Sequence, residues 1–450
     1  MSHSQYDYDL FVIGAGSGGL SAATKAAKDG VKVAIAESSK LGGTCVNRGC
    51  VPKKLMVYAA DFARQAELAA DYGWQSPEHR QFDWPKFRDM MHDYIQGLNE
   101  TFSDKLAKSD VEVFRGEAHF VEPHLIKVGD RQISADKILI AVGGQPNTLD
   151  IEGVELAITS RGMFQLKEIP ARLAIVGGGY IGVEFAAMMS SLGSEVTLMD
   201  SSALVLSDFD EDFRRRVHTH LEQAGVTFLG ETKAKEIQAT KAGLKLSVTG
   251  NCNQELTVDT VLLAIGRTPN LANLNLDAVG VKTKDGAIAV DDYSQTSQAN
   301  IYAVGDCTNR LQLTPVAKAE AEAFVDTVFN GDRRKVDYDW IPSAVFTHPE
   351  AATVGLTEAA AKERYKGAIE VYSSTLQPLS LGLTNSETKA LIKIVVAKAS
   401  QQIVGVHVVG DSAADMVQCL TVALRKGLTK QELDATIGIH PTLGEELLAF

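Results

Sequence analysis

The chain is poor in cysteine, in positive charge and in long apolar runs. Five cysteines in 450 residues are too few for a secreted disulfide scaffold. The 44 basic side chains are outnumbered by 57 acidic ones, and the net charge of −13 argues against nucleic acid or an anionic membrane as a partner. No apolar run reaches the roughly 20 residues that span a bilayer, and the polar start of the chain is unlike a signal peptide. These absences favour a cytoplasmic protein.

The composition that remains is that of an ordinary globular protein, with 45% hydrophobic and 22% charged residues. A chain of 450 residues exceeds the size of a single core, so we expect several domains. Cys252, Cys307 and Cys419 have no cysteine close in sequence, and we expect each to be buried as a small hydrophobic residue. We expect no metal site.

Two glycine-rich loops of the same design stand 163 residues apart in the chain, each between an apolar strand and a helical run. In both copies an acid follows the first glycine by 23 residues, at the end of the next strand. The glycines and acids of the two copies are Gly14, Gly16, Gly19 and Glu37, and Gly177, Gly179, Gly182 and Asp200. Such loops bind the pyrophosphate of a dinucleotide, and the acid binds a ribose. An ordinary tight turn would not explain the equal spacing, so the sequence predicts two dinucleotide sites.

A pair of cysteines, Cys45 and Cys50, follows the first copy within a glycine-rich segment. Cysteines five positions apart can form a disulfide where the backbone bends sharply, and Gly42, Gly43 and Gly49 permit such a bend. Two reduced structural cysteines are the alternative. In a cytoplasmic protein a cysteine pair is more often catalytic than structural, which favours a redox-active dithiol beside a bound dinucleotide.

Other segments indicate how the chain is divided. Residues 141–146 and 264–269 each follow a strand-like run and end in proline, which is typical of connections between domains. Residues 301–306 form an apolar run ending in Gly-Asp, suited to holding a polyol or phosphate. Strands predicted at 390–397 and 402–409 indicate a separate C-terminal α/β unit.

Together these features resemble the flavoprotein disulfide reductases that bind two dinucleotides, over nearly the whole chain. Within that family, Gly43–Lys54 is most similar to the glutathione reductase group, because dihydrolipoamide dehydrogenases usually have Ile-Pro-Ser/Thr-Lys where this chain has Val51-Pro52-Lys53-Lys54. The resemblance implies an α/β fold with two Rossmann-like domains of three layers (β/β/α) and a C-terminal α/β dimerisation domain.

The resemblance also implies domain boundaries and site residues. The expected domains are 1–145 for FAD, 146–267 for NAD(P)H, 268–338 completing the FAD site, and 339–450 for dimerisation. Expected FAD contacts are Gly14, Gly16, Ser17, Gly19, Glu37, Gly43, Thr44, Lys53 and Asp306. Expected coenzyme contacts are Gly177, Gly179, Tyr180, Gly182, Asp200 and Gly266. Expected catalytic residues are Cys45, Cys50, Lys53, Glu184, His440 and Glu445.

The implied chemistry assigns a role to each catalytic residue. A reduced nicotinamide would pass a hydride to the flavin, which would reduce the Cys45–Cys50 disulfide. Cys50 would be the thiolate beside the flavin, and Cys45 would attack the substrate disulfide. His440, oriented by Glu445, would act as acid and base in the active site of the partner subunit, which makes the expected enzyme a homodimer. Lys53 would lie near the flavin and pair with Glu184, and Tyr180 would cover the nicotinamide pocket.

Asp200 departs from the glutathione reductase pattern, in which arginines after this strand hold the 2′-phosphate of NADPH. Here no basic residue follows until Arg214. A carboxylate accepts from both ribose hydroxyls but repels a phosphate, at a cost on the order of 1–3 kcal/mol. The sequence therefore favours NADH over NADPH. The alternative is that Asp200 turns outward while a lysine or arginine binds the phosphate.

The substrate side departs from that pattern as well. Positions where arginines and a tyrosine would hold glutathione correspond here to Thr24, Glu322 and Phe102, with Ser17 near the thiols. An acid in a carboxylate clamp suggests a glutathione derivative with less negative charge. Plain glutathione disulfide, bound with the help of Lys25 or Lys318, is the alternative, although Lys318 could instead pair with Glu322.

Other functions fit the sequence less well. Dihydrolipoamide dehydrogenase is the main enzymatic alternative. Mercuric reductase and the large thioredoxin reductases need a further C-terminal cysteine pair, whereas no cysteine follows Cys419. A flavin-binding redox sensor without turnover would be expected to lack a cysteine, the histidine or the coenzyme site, and all of these are present.

Overall fold

The computed structural model describes residues 5–75 and 82–449. The chain divides into two compact units, each made of three chain segments. The first unit comprises Met1–Lys53, Pro85–Asn147 and Gly266–Asp337, and the second comprises Lys54–Trp84, Thr148–Ile265 and Tyr338–Phe450. No helix within the described residues is long and apolar enough to cross a membrane.

The strands of the described residues, in chain order, are β1 (Tyr8–Ile13), β2 (Val33–Glu37), β3 (Glu112–Arg115), β4 (Ala118–Glu122), β5 (Leu125–Val128), β6 (Arg131–Ile140), β7 (Gly144–Pro146), β8 (Ile158–Thr159), β9 (Arg172–Val176), β10 (Glu195–Met199), β11 (Thr227–Leu229), β12 (Thr232–Thr240), β13 (Gly243–Gly250), β14 (Gln254–Val258), β15 (Thr260–Leu263), β16 (Arg267–Pro269), β17 (Thr283–Lys284), β18 (Ala287–Ile288), β19 (Ile301–Ala303), β20 (Ser343–Val345), β21 (Ala351–Gly355), β22 (Ile369–Leu376), β23 (Ala390–Ala397) and β24 (Ile403–Val409). The α-helices are α1 (Ser17–Lys28), α2 (Gly43–Arg48), α3 (Cys50–Asp71), α4 (Trp84–Lys108), α5 (Ser160–Met163), α6 (Tyr180–Ser191), α7 (Glu211–Gln223), α8 (Thr314–Phe329), α9 (Glu358–Arg364), α10 (Ala413–Leu424) and α11 (Lys430–Asp434).

The first unit is built on a seven-stranded sheet in the order β3-β2-β1-β6-β5-β4, with β19 also paired to β6. Strands β3, β2, β1, β6 and β19 are parallel, as βαβ connections require. Side chains of β1 alternate between two cores, with Phe11 and Ile13 in one and Leu10 and Val12 in the other. Burial on both faces explains why this strand is apolar throughout.

The second unit contains a five-stranded parallel sheet in the order β11-β10-β9-β15-β8 and a three-stranded antiparallel sheet, β12-β13-β14. Its C-terminal part is a five-stranded antiparallel sheet in the order β20-β21-β24-β23-β22. Apolar side chains of α10 pack with those of β23 and β24 in one core. The predicted fold class, with two Rossmann-like units and a C-terminal α/β part, is confirmed.

Several local predictions differ from the structure in detail. The two connectors predicted from 141–146 and 264–269 contribute β7 and β16, which pair with each other antiparallel. The run 301–306 is a strand only to Ala303, and a 3₁₀ helix, Gly305–Thr308, follows it. Cys307 is buried as predicted, but the predictions for Cys419, which is exposed on α10, and for Cys252, which is partly exposed, were wrong.

Candidate active site

The loop after β1 is shaped by close contacts at its first and third glycines. Gly14 has a φ of 103°, and a Cβ atom there would lie 2.5 Å from the carbonyl oxygen of Ala141 on the neighbouring strand. A Cβ atom at Gly19 would lie 1.9 Å from the carbonyl oxygen of Gly14. Only glycine fits at either position, and the start of α1 can therefore approach the strand closely enough to receive a phosphate.

The loop after β9 repeats this geometry in the second unit. Gly177 has a φ of 111°, and a Cβ atom there would lie 2.4 Å from the carbonyl oxygen of Ala264. A Cβ atom at Gly182 would lie 1.9 Å from the carbonyl oxygen of Gly177. The space around Gly179 is open, because no atom lies within 4 Å of the place where its Cβ atom would be.

Both acids turn inward onto their loops. Glu37 accepts hydrogen bonds from the backbone N–H groups of Ala15 and Ser39, each at 2.8 Å. Asp200 accepts from the N–H of Gly178 at 2.6 Å, as Glu37 does from the equivalent loop residue. It also accepts from the N–H two residues after itself, on Ser202, at 2.7 Å. The alternative of an outward-facing Asp200 is therefore wrong.

Arg214, the first basic side chain after Asp200, is held by its own loop. Its Nε donates to the carbonyl oxygen of Val205 at 2.8 Å, and one terminal nitrogen donates to the carbonyl oxygen of Leu204 at 3.1 Å. These two bonds use part of the guanidinium fork that would otherwise bind a phosphate.

The cysteine segment packs directly on the first phosphate loop. Gly43, the first residue of α2, has a φ of 60°, and a Cβ atom there would lie 2.6 Å from the Cα atom of Gly16. Cys45 lies within α2 and Cys50 begins α3, so the bend at Gly49 between these helices brings the two thiols together. Both are free thiols in the structure, and they lie close enough for each to change the pKa of the other.

The two thiols differ in their affinity for a proton. The pKa of Cys50 is lowered to about 6, mainly by the hydrogen bond from Cys45 and also by Thr314 and Lys53, against the opposing effect of burial. The hydroxyl oxygen of Thr314 lies 3.8 Å from the Cys50 sulfur. The same hydrogen bond to Cys50, together with burial, raises the pKa of Cys45. Cys50 is thus the stable thiolate of the pair, also favoured by its position at a helix start, and Cys45 needs a base to become nucleophilic.

Asp306 follows β19 and is held in place from two sides. Arg267 reaches to within 3.8 Å of its carboxylate and donates to the carbonyl oxygen of Gly144 at 2.6 Å. The buried carboxylate of Glu320 on α8 accepts from the N–H of Gly305 at 2.6 Å and thereby fixes the turn. Burial raises the pKa of Asp306, although Arg267 opposes this effect.

Four other predicted residues take the following positions. Lys53 lies one turn after Cys50 in α3, and its positive charge lowers the pKa of the Cys50 thiol. Glu184 on α6 is 3% exposed and accepts from the backbone N–H of Phe346 at 2.9 Å. Tyr180 begins α6 and is 46% exposed. The pairing of Lys53 with Glu184 stays a prediction. Gly266, at the start of the β16 connector, has a φ of 95°.

His440 and Glu445 form a dyad near the C-terminus. The Nδ1 atom of His440 lies 2.9 Å from the Glu445 carboxylate, which also accepts from the N–H of Thr442 at 3.2 Å. The His440 side chain is 82% exposed, whereas that of Glu445 is 25% exposed. The carboxylate therefore orients the ring from the protein side and leaves Nε2 directed outward, as an acid and base acting on another molecule requires.

The predicted substrate residues have modest local roles. Ser17 begins α1 beside the thiols and hydrogen-bonds to Cys45. Thr24 donates back to the carbonyl oxygen of Leu20 at 2.7 Å. Phe102 and Glu322 are half-buried, and Phe102 packs against the core beneath α1.

The two lysines that could assist glutathione binding differ. Lys25 pairs with Asp326 at 2.6 Å, so its charge is already compensated. Lys318 is exposed, and its possible pair with Glu322 is absent from the ion pairs of the described residues. Of the two, Lys318 remains available to a carboxylate.

Sequence reasoning missed two residues of this site. Thr314 precedes a proline, which marks a helix start, but nothing in the sequence indicated its contact with Cys50. Arg48 lies between the two cysteines, and its only sequence signal is that position.

Comparison with protein families gives two matches that cover most of the chain. Residues 8–321 match the family model described as pyridine nucleotide-disulphide oxidoreductase. Residues 341–449 match the dimerisation domain of the same description. The second match covers the C-terminal antiparallel sheet and the His440–Glu445 dyad.

Relatives resemble the chain over its full length. It is 43% identical to a glutathione reductase of Nostoc sp., covering 98% of this chain and 99% of that protein. It is 42% identical to a glutathione reductase of Burkholderia cepacia, covering 99% and 98%. Among solved structures, the HOCl-induced flavoprotein disulfide reductase RclA from Escherichia coli superposes with a TM-score of 0.88 at 29% identity, covering 98% of this chain and 99% of that one.

Proposed function

Because the chain belongs to the pyridine nucleotide-disulphide oxidoreductase family and is an FAD-dependent disulfide oxidoreductase, we propose that it reduces glutathione disulfide or a modified relative of it, with NADH as the favoured coenzyme. The observation that carries the proposal is the Cys45–Cys50 thiol pair, seated on the first phosphate loop by the contact of Gly43 with Gly16.

The first unit has the features that FAD binding requires. Gly14 and Gly19 leave space that a Cβ atom would fill, and Glu37 is positioned at the end of β2 for a ribose. The Nε atom of Arg48 is buried and has no hydrogen-bond partner among the described residues. The carboxylate of Asp306, in the same unit, lies 3.8 Å from Arg267. FAD held there would take two electrons from a reduced nicotinamide and make them available to a disulfide.

The remaining chemistry is that of the thiols and the histidine. Cys45 attacks one sulfur of the substrate disulfide, which forms a mixed disulfide and releases one thiolate. Cys50 then attacks the Cys45 sulfur, which re-forms the Cys45–Cys50 disulfide and releases the second thiolate. His440 takes the proton of Cys45 and returns it to a leaving thiolate. Because the pKa of Cys45 is raised, this thiol needs a base before it can attack. Because the pKa of Cys50 is lowered, this thiol is a thiolate without the help of a base.

The protein is expected to work as a homodimer in the cytoplasm. The match to a dimerisation domain supports the dimer. The outward direction of the His440 ring supports its action in the active site of the partner subunit, because its own Glu445 holds only the Nδ1 side. The division into domains at 1–145, 146–267, 268–338 and 339–450 belongs to the same proposal.

The preference for NADH rests on Asp200. Both oxygens of its carboxylate accept from backbone N–H groups of the second loop and its flank, which supports a role of this side chain at the adenosine ribose. Arg214 already donates to two loop carbonyls. A 2′-phosphate would meet a fixed negative charge without a free basic partner from this stretch.

The substrate is proposed as glutathione disulfide, or as a derivative with less negative charge. Relatives named glutathione reductase support the first form. The acid at Glu322 supports the second, and the exposed Lys318 gives plain glutathione one cation to use.

Initial rates of NADH and NADPH oxidation with glutathione disulfide as acceptor test the proposal. Fast turnover with NADH supports both parts. Fast turnover with NADPH alone overturns the coenzyme assignment. Reduction of the flavin by either coenzyme without turnover would mean that glutathione disulfide is the wrong substrate, and amidated or amine-conjugated glutathione disulfides would then be compared.

A further inference from the structure

Arg48 occupies an unusual place in the redox segment. It is the last residue of α2 and lies between the two cysteines of the thiol pair. It follows Thr44, an expected FAD contact, by four residues, so the two side chains lie on the same face of the helix.

The guanidinium of Arg48 has no partner in the part of the chain that the structure describes. Its Nε atom is buried without a hydrogen bond. Burial lowers the pKa of Arg48, and the positive charge of Arg267 lowers it further, while Glu37 acts in the opposite direction. The carboxylate of Glu37 accepts from two backbone N–H groups, and no ion pair or hydrogen bond joins it to Arg48 among the described residues.

Arg48 and Arg267 lie near enough for their positive charges to oppose each other, and few negative charges surround them. Arg267 has Asp306 at 3.8 Å and the carbonyl oxygen of Gly144 at 2.6 Å. Arg48 has no equivalent of either. A partly buried cation without a partner is costly, and the cost disappears when an anion binds. The planar fork of a guanidinium suits the oxygens of a phosphate group.

We propose that Arg48 binds the diphosphate of FAD and thereby ties the redox-active segment to the cofactor. The proposal rests on FAD being the resident cofactor of the first unit. It assigns to this residue a ligand of nucleoside diphosphate class and gives a reason for an arginine between the cysteines. A carboxylate of the disulfide substrate is the competing ligand, and the experiment below separates the two.

The test uses full-length protein stripped of FAD, with wild type, Arg48→Gln and Arg48→Lys compared. FAD affinity is measured by the change in flavin fluorescence. Displacement of bound FAD by ADP or by adenosine then gives the affinity of each of these ligands for the FAD site alone. We expect Arg48→Gln to weaken FAD and ADP binding about 10-fold to 100-fold and to change adenosine binding less than about twofold. Arg48→Lys should recover part of the loss because it keeps the charge. Arg131→Gln, at an exposed arginine of the same unit, should bind as wild type does.

Three results would overturn the assignment. FAD and ADP affinities unchanged in Arg48→Gln would exclude a diphosphate contact. An equal loss for ADP and adenosine would indicate a structural role. An unchanged FAD affinity with a raised KM for the disulfide would assign Arg48 to the substrate. If Arg48→Gln does not fold, phenylglyoxal modification of wild-type apoprotein decides: ADP should protect Arg48 and adenosine should not. The FAD, ADP and adenosine measurements need no disulfide turnover, so the proposed substrate can fail without affecting them; only the KM comparison depends on it.

Discussion

The loop after β1 and the loop after β9 share their backbone and the contacts of their acid, but differ in what covers the second glycine. In the first unit Gly43 of the redox segment packs on Gly16, and a Cβ atom at Gly43 would lie 2.6 Å from the Gly16 Cα atom. In the second unit no described atom lies within 4 Å of the place of a Cβ atom at Gly179, and the next residue, Tyr180, is 46% exposed. A neighbouring segment thus contacts the second glycine of the first loop, whereas the second glycine of the other loop is open.

This difference corresponds to two kinds of ligand. A cofactor that stays bound through many turnovers tolerates a closed site, whereas a coenzyme that enters and leaves in every cycle needs an open one. The same βαβ unit can serve both purposes, because the loop and the acid provide binding and the segments around them control access.

The segments that follow the two acids differ as well. After Glu37 the chain leads to the cysteines, whereas after Asp200 it leads to Asp210, the N-cap of α7. There the buried Lys393 of β23 binds Asp210 at 2.8 Å, Asp212 at 2.6 Å and Glu358 at 2.7 Å. Although burial opposes it, these hydrogen bonds raise the pKa of Lys393. The loop beside the coenzyme site is therefore anchored to the C-terminal sheet.

The largest expected effect comes from removing that anchor. Lys393→Met leaves Asp210 buried and unpaired, which should lower the free energy of unfolding by about 3–5 kcal/mol. Thermal unfolding followed by circular dichroism measures this loss. The matched control is Lys362→Met, which removes a more exposed partner of the same Glu358 and should change stability by less than about 1 kcal/mol. Equal effects of the two substitutions would contradict the anchoring role.

Adding a methyl group at the third glycine of each loop should show which ligand each loop binds. Gly19→Ala and Gly182→Ala each place a Cβ atom 1.9 Å from a backbone oxygen, so each should disturb its own unit by about 1–3 kcal/mol. Gly19→Ala should lose FAD, measured as flavin absorbance after gel filtration. Gly182→Ala should keep FAD but lose its reduction by NADH. Gly97→Ala, in the middle of α4 with no described atom within 4 Å of the new Cβ atom, is the control. It should keep FAD and its reduction by NADH and raise the stability by up to about 1 kcal/mol, because alanine favours a helix more than glycine does. Loss of FAD in Gly182→Ala would contradict the assignment of the two sites.

Neutralising Asp200 should change the preference between NADH and NADPH, with an effect in free energy no larger than that of the glycine substitutions. Asp200→Asn removes the charge that opposes a 2′-phosphate, so the ratio of kcat/KM for NADH to that for NADPH should fall roughly 5-fold to 100-fold. Asp208→Asn, on the exposed part of the same loop, removes one charge at a distance and should leave the ratio within about twofold. An unchanged ratio in Asp200→Asn would remove the argument for NADH.

The smallest effect is a titration within the first unit. The pKa of Cys50 lies near 6, below its ordinary value of 9.0, so its thiolate should persist at pH 7 and be lost as the pH falls through about 6. The ultraviolet thiolate absorbance of reduced apoprotein, relative to Cys50→Ser, measures this. Cys45→Ala removes the donor that lowers the pKa and should shift the midpoint upward. A midpoint near 9 in the unaltered protein would show that Cys50 is not the stabilised thiol.

Local sequence patterns were sufficient to predict elements whose formation depends on residues close together in the chain. The strand predicted at 390–397 is β23 with those bounds. Exposure was harder to predict. Cys419 lies on the exposed face of α10, and the identity of a small apolar residue does not indicate which face of a helix it lies on. The contact between Thr314 and Cys50 joins residues 264 positions apart, so no local pattern could indicate it.

The sequence by itself determined the two glycine-rich loops with their acids and the close pair of cysteines, and the resemblance to the family indicated His440 and Glu445. The loops and the cysteine pair depend on spacing within one strand, turn or helix, where backbone geometry fixes which residues meet. Only the tertiary structure decided that Asp200 turns inward, that Cys50 rather than Cys45 has the lowered pKa, and that the Nε atom of Arg48 has no partner among the described residues. These properties depend on burial and on charges brought together from distant parts of the chain, and electrostatic interactions follow distance in space rather than separation in sequence.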